Sequence, residues 1–193
     1  MTTFYICRHG ISENNIKNRF SGWIDTPLTE EGVQNALSAA TKLKGIHFDR
    51  VVSSDLGRAF VSAYIITRQL DINLEIERSS GLREMDYGDF ANRPHSEYPA
   101  LTLEENAIFA PPHGESLAQV QLRIMACVQE LAETSDVQTV LLVAHDGTIN
   151  SIRASLTGED MGTADTVHNP HDFVAKFEYE KGKILSFKEV AEF

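Results

Sequence analysis

Apolar positions along this chain alternate between two periods. Thr3 to Cys7 is a short apolar run with the length of a buried strand, and it ends at Arg8-His9-Gly10, where glycine permits a sharp turn. Thr29 can cap a helix running to about Leu43, with Val33, Ala36, Leu37, Ala40 and Leu43 on one face. Val51-Val52 marks a second strand, Asp55 is placed to cap a helix through about Leu70, and Leu74 to Glu77 gives a third strand. Ser116 to Glu133 returns to helical spacing through Leu117, Val120, Ile124, Val128 and Leu131. Thr139 to Ala144, the most apolar strand, ends at His145-Asp146-Gly147 and precedes a helix from about Thr148 to Leu156. Phe173 to Tyr179 alternates apolar and polar residues, Lys181-Gly182 makes a turn, and Ile184 to Val190 pairs back as a hairpin.

Strands alternating with helices predict a three-layer α/β/α domain, residues 1–193, with a largely parallel central sheet and a closing C-terminal hairpin. Such sheets bind ligands at the carboxyl ends of their strands, where Arg8, His9, Ser53, Ser54 and His145 all fall. Residues 85–115 break the pattern. They carry Pro94, Pro99, Pro111 and Pro112 without clean periodicity and are expected to form a lid-like loop with little regular helix.

Composition narrows the function. A formal net charge of -11 over 193 residues disfavours nucleic acid and anionic membrane as partners, since both reward clustered Lys and Arg. An anionic small substrate then requires the few basic residues to be concentrated at its pocket. No apolar run is long enough to cross a bilayer, and the first ten residues lack the basic and apolar stretches of a leader, so a cytoplasmic protein is expected. Of the two cysteines, Cys7 sits in a core strand, which argues against a disulfide framework.

Arg-His-Gly alone is a weak tripeptide. Its surroundings strengthen it, because phosphoryl transfer needs an in-line nucleophile and fixed positive charge around three equatorial oxygens. Arg8 and Arg58 can supply that charge; Arg58 falls in the first turn of its helix, where free amides and the helix dipole also favour an anion. Imidazole suits attack because its ordinary pKa of about 6.5 leaves it largely neutral near pH 7. His145, as an imidazolium, is placed to hold a phosphate oxygen. Glu84 is the candidate general acid for the departing alkoxide, a role that requires a raised pKa through burial beneath the lid or repulsion from bound phosphate. No metal and no cofactor are called for.

Together, Arg8-His9-Gly10, Asn15, Arg19-Phe20-Ser21-Gly22-Trp23, Asp25-Thr26-Pro27-Leu28-Thr29-Glu30-Glu31-Gly32, Ser53-Ser54-Asp55-Leu56, Arg58-Ala59, Glu84, His113-Gly114-Glu115-Ser116 and His145 resemble the histidine phosphatase superfamily, also called phosphoglycerate-mutase-like, from residue 1 to about 155. The resemblance implies that His9 is phosphorylated, that Arg8, Arg58 and His145 hold the phosphate, and that Glu84 is the proton donor. It also suggests that Asn15 and the Ser21-Gly22 backbone complete the pocket.

Two positions depart from the family pattern. Ile11-Ser12 replaces the usual Glu-Thr, removing a carboxylate and pointing to an altered leaving-group preference. Asp146 replaces the glycine common after the second histidine; its carboxylate either keeps His145 protonated or, aimed at the phosphate, weakens binding. Within the superfamily, a mutase must grip a bisphosphorylated carboxylate. Met85 to Ser116 holds Arg93 as its only basic Lys or Arg, which suits a phosphatase acting on a small phosphorylated metabolite. Leu101, Leu103, Ile108 and Phe109 either line an apolar lid or anchor the loop to the core.

Competing chemistries lack their residues. A cysteine phosphatase needs arginine six positions beyond Cys7, where Glu13 stands. His168, His171 and Asp172 read as a polar loop more readily than as metal ligands, and neither a Walker loop nor a serine elbow is present. The remaining rivals are a mutase-type phosphotransferase and a catalytically inactive phosphate-binding module on the same fold.

Overall fold

The computed structural model describes residues 1–133 and 139–191. Its centre is a six-stranded sheet ordered β3-β2-β4-β1-β5-β6, built from β1 (Thr2–Arg8), β2 (Arg50–Ser54), β3 (Ile76–Ser79), β4 (Thr139–Ala144), β5 (Val174–Glu180) and β6 (Lys183–Glu189). The first four strands in that order run parallel, β5 runs antiparallel to β1, and β6 runs antiparallel to β5. This is a mixed α/β/α arrangement. At the β5–β6 turn Lys181 and Gly182 have φ of 49° and 84°, the paired left-handed conformation of a two-residue hairpin turn.

The period of two in β4 decides which helices cover which face. Val140, Leu142 and Ala144 pack with α5 (Leu117–Glu133), α6 (Asp146–Thr157) and α7 (Met161–Ala164). Leu141 and Val143 face the other way, against α2 (Glu30–Lys42) and α3 (Gly57–Gln69). Cys7 belongs to the second cluster and Cys127 to the first, both as free thiols, so the sheet separates them. Helices α1 (Glu13–Ile16) and α4 (Leu103–Ile108) are short and lie in the connections.

Local signals differ from the expected ones at three points. Asp55 does not cap α3: Leu56 holds the N-cap position without a side-chain bond, and Asp55 forms a two-pronged pair with Arg83 at 2.6 and 2.7 Å. The amide of Gly57 is satisfied from a distant loop, by Asp25 Oδ2 at 2.9 Å. Strand β3 is shifted two residues toward the C-terminus, and α6 begins at Asp146, with His145 at its N-cap position. The lid-like segment contains α4 and two single 3₁₀ turns, Gly88–Phe90 and His95–Glu97; Thr102 and Glu105 cap α4 reciprocally.

Gly10 lets the chain leave β1 beside α2. A Cβ on Gly10 would stand 2.0 Å from the Gly32 carbonyl oxygen, so only hydrogen fits where the loop after His9 crosses the start of α2. That crossing is fastened by Thr29 N to Ile11 O at 3.0 Å and by Gly10 N to Ser62 Oγ at 3.0 Å.

Candidate active site

The carboxyl ends of β1 and β4, the first turn of α3 and the segment after β3 meet at one cleft of about 450 Å³. Arg8, His9, Asn15, Ser21, Gly22, Arg58, Glu84 and Asp146 line it. His145 lies beneath, fully buried, with its ring 5.0 Å from that of His9. All nine residues singled out in the sequence are therefore gathered at one place.

Hydrogen bonds assign the imidazole tautomers. His9 Nδ1 lies 2.7 Å from the Gly10 carbonyl, so Nδ1 carries the proton and Nε2 keeps the lone pair. That lone pair has only a weak 3.3 Å contact from Arg58 Nε. His145 Nδ1 accepts from Arg58 Nη2 at 3.3 Å, which leaves the proton on Nε2. Arg58 itself is 2% exposed, and it donates further to the carbonyls of Ile24 at 3.0 Å and Gly22 at 2.8 Å. Four of its five N–H bonds are thereby used, which is how an arginine tolerates such burial. Gly22 presents its carbonyl at a φ of 50°, a backbone state glycine enters freely.

Three buried polar atoms here have no protein partner: Arg8 Nε, Ser21 Oγ and His145 Nε2. Two are N–H donors and the third is a hydroxyl, so the set matches a ligand rich in acceptor oxygens. Burial, then the charges of Arg58 and Arg8, hold His9 well below the usual imidazole range; burial, Arg58, His9 and Arg8 do the same to His145. In the cleft without phosphate, burial first and then the two guanidiniums favour the neutral ring, with Nε2 as its donor. The imidazolium expected at position 145 would therefore depend on the charge of a bound phosphate.

The pKa of Glu84 moves in the direction a general acid requires. Burial raises its pKa, and Asp146 adds to the rise. Its carboxylate rests against α6, where Gly147 N approaches Oε2 at 3.5 Å and a Cβ on Gly147 would stand 2.4 Å from Oε1. The backbone of Glu84 is gripped from two sides, by Trp23 Nε1 at 2.8 Å and Arg123 Nη2 at 3.2 Å, both donating to its carbonyl. Arg123 also bonds the carbonyls of Gly81 and Arg83 and pairs with Glu115. Neither Trp23 nor Arg123 carries a local signal of this role; in the sequence Arg123 is one polar position on a helix.

The Asp146 carboxylate is engaged by Asn169, Arg8 and His168 at the cleft wall. Oδ1 accepts from Asn169 N and Nδ2 at 3.1 and 2.6 Å, and Oδ2 lies 3.4 Å from Arg8 Nη1 and 3.6 Å from His168 Nδ1. Arg8 Nη1 also donates to the Asn169 carbonyl. Asn15 Oδ1 accepts from Ser12 N and Oγ, closing the cap of α1 and leaving the amide nitrogen as its uncommitted donor. Ile11 is absent from the cleft lining, so the leaving-group effect expected of it has no contact behind it. Likewise Leu103 and Ile108 are exposed, and the lid lines the cleft with Tyr87, His95, Tyr98 and Pro99 instead. His168, His171 and Asp172 diverge: His171 Nδ1 bonds the His9 carbonyl at 2.9 Å, and Asp172 bonds Ser38 and Lys42.

Comparison with known proteins places this geometry. The chain is 36% identical over 170 residues to a 2,3-bisphosphoglycerate-dependent phosphoglycerate mutase of Bartonella tribocorum, covering 81% of this chain and 82% of that one. It is 31% identical over 163 residues to an adenosylcobalamin/alpha-ribazole phosphatase of Escherichia coli K12, covering 80% and 78%. Among solved structures, Bacillus stearothermophilus YhfR superposes with a TM-score of 0.84 at 26% identity, over 95% of this chain and 94% of that one. A mycobacterial glucosyl-3-phosphoglycerate phosphatase with VO3 superposes with a TM-score of 0.81 at 28% identity, over 92% and 93%. The profile of the histidine phosphatase superfamily (branch 1) matches residues 4–189, nearly the whole span that holds the cleft. This chain belongs to the histidine phosphatase superfamily.

Proposed function

We propose that the protein is a phosphatase that hydrolyses a small phosphate monoester through a phosphohistidine on His9. The observation that carries the reading is the His9 tautomer: Nδ1 is tied to the Gly10 carbonyl, and the Nε2 lone pair sits among guanidiniums beside a carboxyl of raised pKa. Arg8 Nε, His145 Nε2 and Ser21 Oγ then receive the phosphoryl oxygens, with the Arg58 guanidinium supplying charge that grows in importance at the transition state. Asn15 and the Ser21-Gly22 loop border the same oxygens.

In the first step His9 Nε2 attacks phosphorus and the bond to the ester oxygen breaks. Glu84, protonated, delivers its proton to that oxygen and the alcohol departs. In the second step the Glu84 carboxylate takes a proton from water, the water oxygen attacks phosphorus, the P–N bond breaks, and inorganic phosphate leaves with His9 restored. Arg8 and Arg58 hold the phosphoryl charge throughout, so the chemistry needs no metal ion and no cofactor.

Hydrolysis is preferred to mutase transfer because of what the lid contributes. Tyr87, His95, Tyr98 and Pro99 reach the cleft from it, and no lysine or arginine does. A mutase must hold a second anionic group after the first transfer, and this side of the cleft offers it little. The mutase reading retains one specific support, the identity to mutase relatives. Purified protein supplied with a chromogenic aryl phosphate is expected to turn over, and acid-free quenching is expected to trap a base-stable, acid-labile phosphoprotein mapping to His9. Near-normal activity in His9→Ala would overturn the mechanism. Efficient, primer-dependent interconversion of 2- and 3-phosphoglycerate would instead overturn the choice of phosphatase over mutase.

A further inference from the structure

The leaving-group half of the cleft has a chemical character of its own. Phe20, Tyr87, His95 and Tyr98 form one aromatic cluster, with Phe20 at 4.3 Å from Tyr87, 4.2 Å from His95 and 5.1 Å from Tyr98, measured between ring centres. All four line the cleft. Asp165, just past α7, lines it with them. Among the described residues no lysine or arginine pairs with Asp165; burial and the nearby Asp146 raise its pKa, while a hydrogen bond from Asn106 of α4 and the neighbouring His168 favour its charged form, as a bound cation would. Its charge is close enough to both tyrosines to raise their pKa values, with burial as the larger cause.

The charges around the cleft can be balanced against a bound ester. Its lining cations are Arg8, Arg19 and Arg58, and its lining carboxyls are Glu84, Asp146 and Asp165. With Glu84 protonated and a phosphate dianion bound, one negative charge is left uncompensated. Among the described residues, Arg19 keeps its charge within the cleft but bonds only the Asn92 carbonyl, at 2.5 Å, and Asp146 leans on Arg8, so Asp165 is the lining carboxylate with no arginine against it. An anion next to aromatic rings in a partly desolvated cleft attracts an organic cation through both the Coulomb term and the ring quadrupoles.

Resting on the phosphatase reading, we infer that the protein selects esters whose leaving group carries an organic ammonium, held by Asp165 among Phe20, Tyr87 and Tyr98. Anionic leaving groups such as a phosphoglycerate are disfavoured by the same charge.

The test compares phosphocholine with 3,3-dimethylbutyl phosphate, which has nearly the same shape without the positive charge. The ratio of their kcat/KM values is expected to be about ten in favour of phosphocholine, with 3-phosphoglycerate below both. Asp165→Asn, which keeps the size of the side chain, is expected to bring that ratio close to one, and Tyr98→Leu to reduce it by about threefold. Each ratio is taken within one protein sample, so a poorly folded variant does not imitate the effect. Equilibrium binding of the two esters to His9→Asn reads the preference without turnover. Equal kcat/KM and equal affinities would overturn the inference and leave the phosphatase reading standing. A preserved tenfold binding preference with no turnover of any ester would support the inference and overturn the phosphatase reading.

Discussion

At the scale of single residues, the proposed chemistry depends on two groups whose pKa values move in opposite directions. Glu84→Gln keeps the side-chain size and removes the acid. Its first-step defect, read as the single-turnover rate of His9 phosphorylation, is expected to be about 10² to 10⁴ on an alkyl ester, which needs a proton on the leaving oxygen. On an activated aryl ester, whose phenoxide leaves unaided, the defect is small, and an aryl burst followed by a stalled phosphoenzyme marks loss of water activation. Equal defects on both esters would remove Glu84 from the acid role. The pH dependence follows with a definite sign. Glu84 acts as an acid only while protonated, and burial lifts its pKa above 4.5, so alkyl-ester activity is present below the raised value and is lost as pH climbs through it. His9 attacks only when neutral, and burial with Arg58 and Arg8 nearby keeps it neutral well below 6.5. The alkyl-to-aryl ratio of kcat/KM is therefore expected to be highest on the acid side and to fall with rising pH. A ratio that is flat across pH 5 to 8 would count against the assignment.

At the scale of elements, the acid is held by a helix far from it in sequence. Arg123 on α5 bonds the carbonyls of Gly81, Arg83 and Glu84 and pairs with Glu115 at 2.7 Å, so one guanidinium locks the lid's root to the segment after β3. Arg123→Met is expected to destabilise the fold by about 2 kcal/mol in denaturant titrations, since several carbonyls and a partly buried carboxylate lose a charged donor. It is also expected to lower kcat on alkyl esters more than on aryl esters, because the position of Glu84 is what slackens. Arg123→Lys should recover little of either, as a single ammonium cannot reproduce the fork. Unchanged alkyl-to-aryl selectivity in Arg123→Met would reduce Arg123 to a stability role. The elements were legible in the sequence wherever apolar spacing ran long, as in α2, α5 and β4. Boundaries decided by single polar side chains were not. Asp55 has the composition of a cap, yet Arg83, 28 residues away, offers it a charged partner at 2.6 Å, and the cap of α3 comes from Asp25.

At the scale of the whole molecule, a chain of net charge -11 places Arg8, Arg19 and Arg58 around one cleft. In the proposed mechanism fixed guanidiniums take the part that a metal plays elsewhere, so EDTA is expected to leave activity intact, and vanadate, which adopts the five-coordinate geometry of the transition state, to inhibit. Activity lost in EDTA and restored by magnesium or zinc would contradict this. The sequence by itself determined the alternation of strand and helix and the layering around a mostly parallel sheet, because local periodicity is written in contiguous residues, and its resemblance to a family named the nine residues that gather at the cleft. Only the tertiary structure decided the rest. The lowered pKa of His145 comes from its burial and from two arginines brought in from other elements, and the grip on Glu84 depends on Trp23 and Arg123. The aromatic wall joins Phe20 to a lid nearly 80 residues later, with Asp165 arriving from beyond α7. Burial, charge proximity and hydrogen-bond geometry are properties of packed space, and no spacing along the chain encodes them.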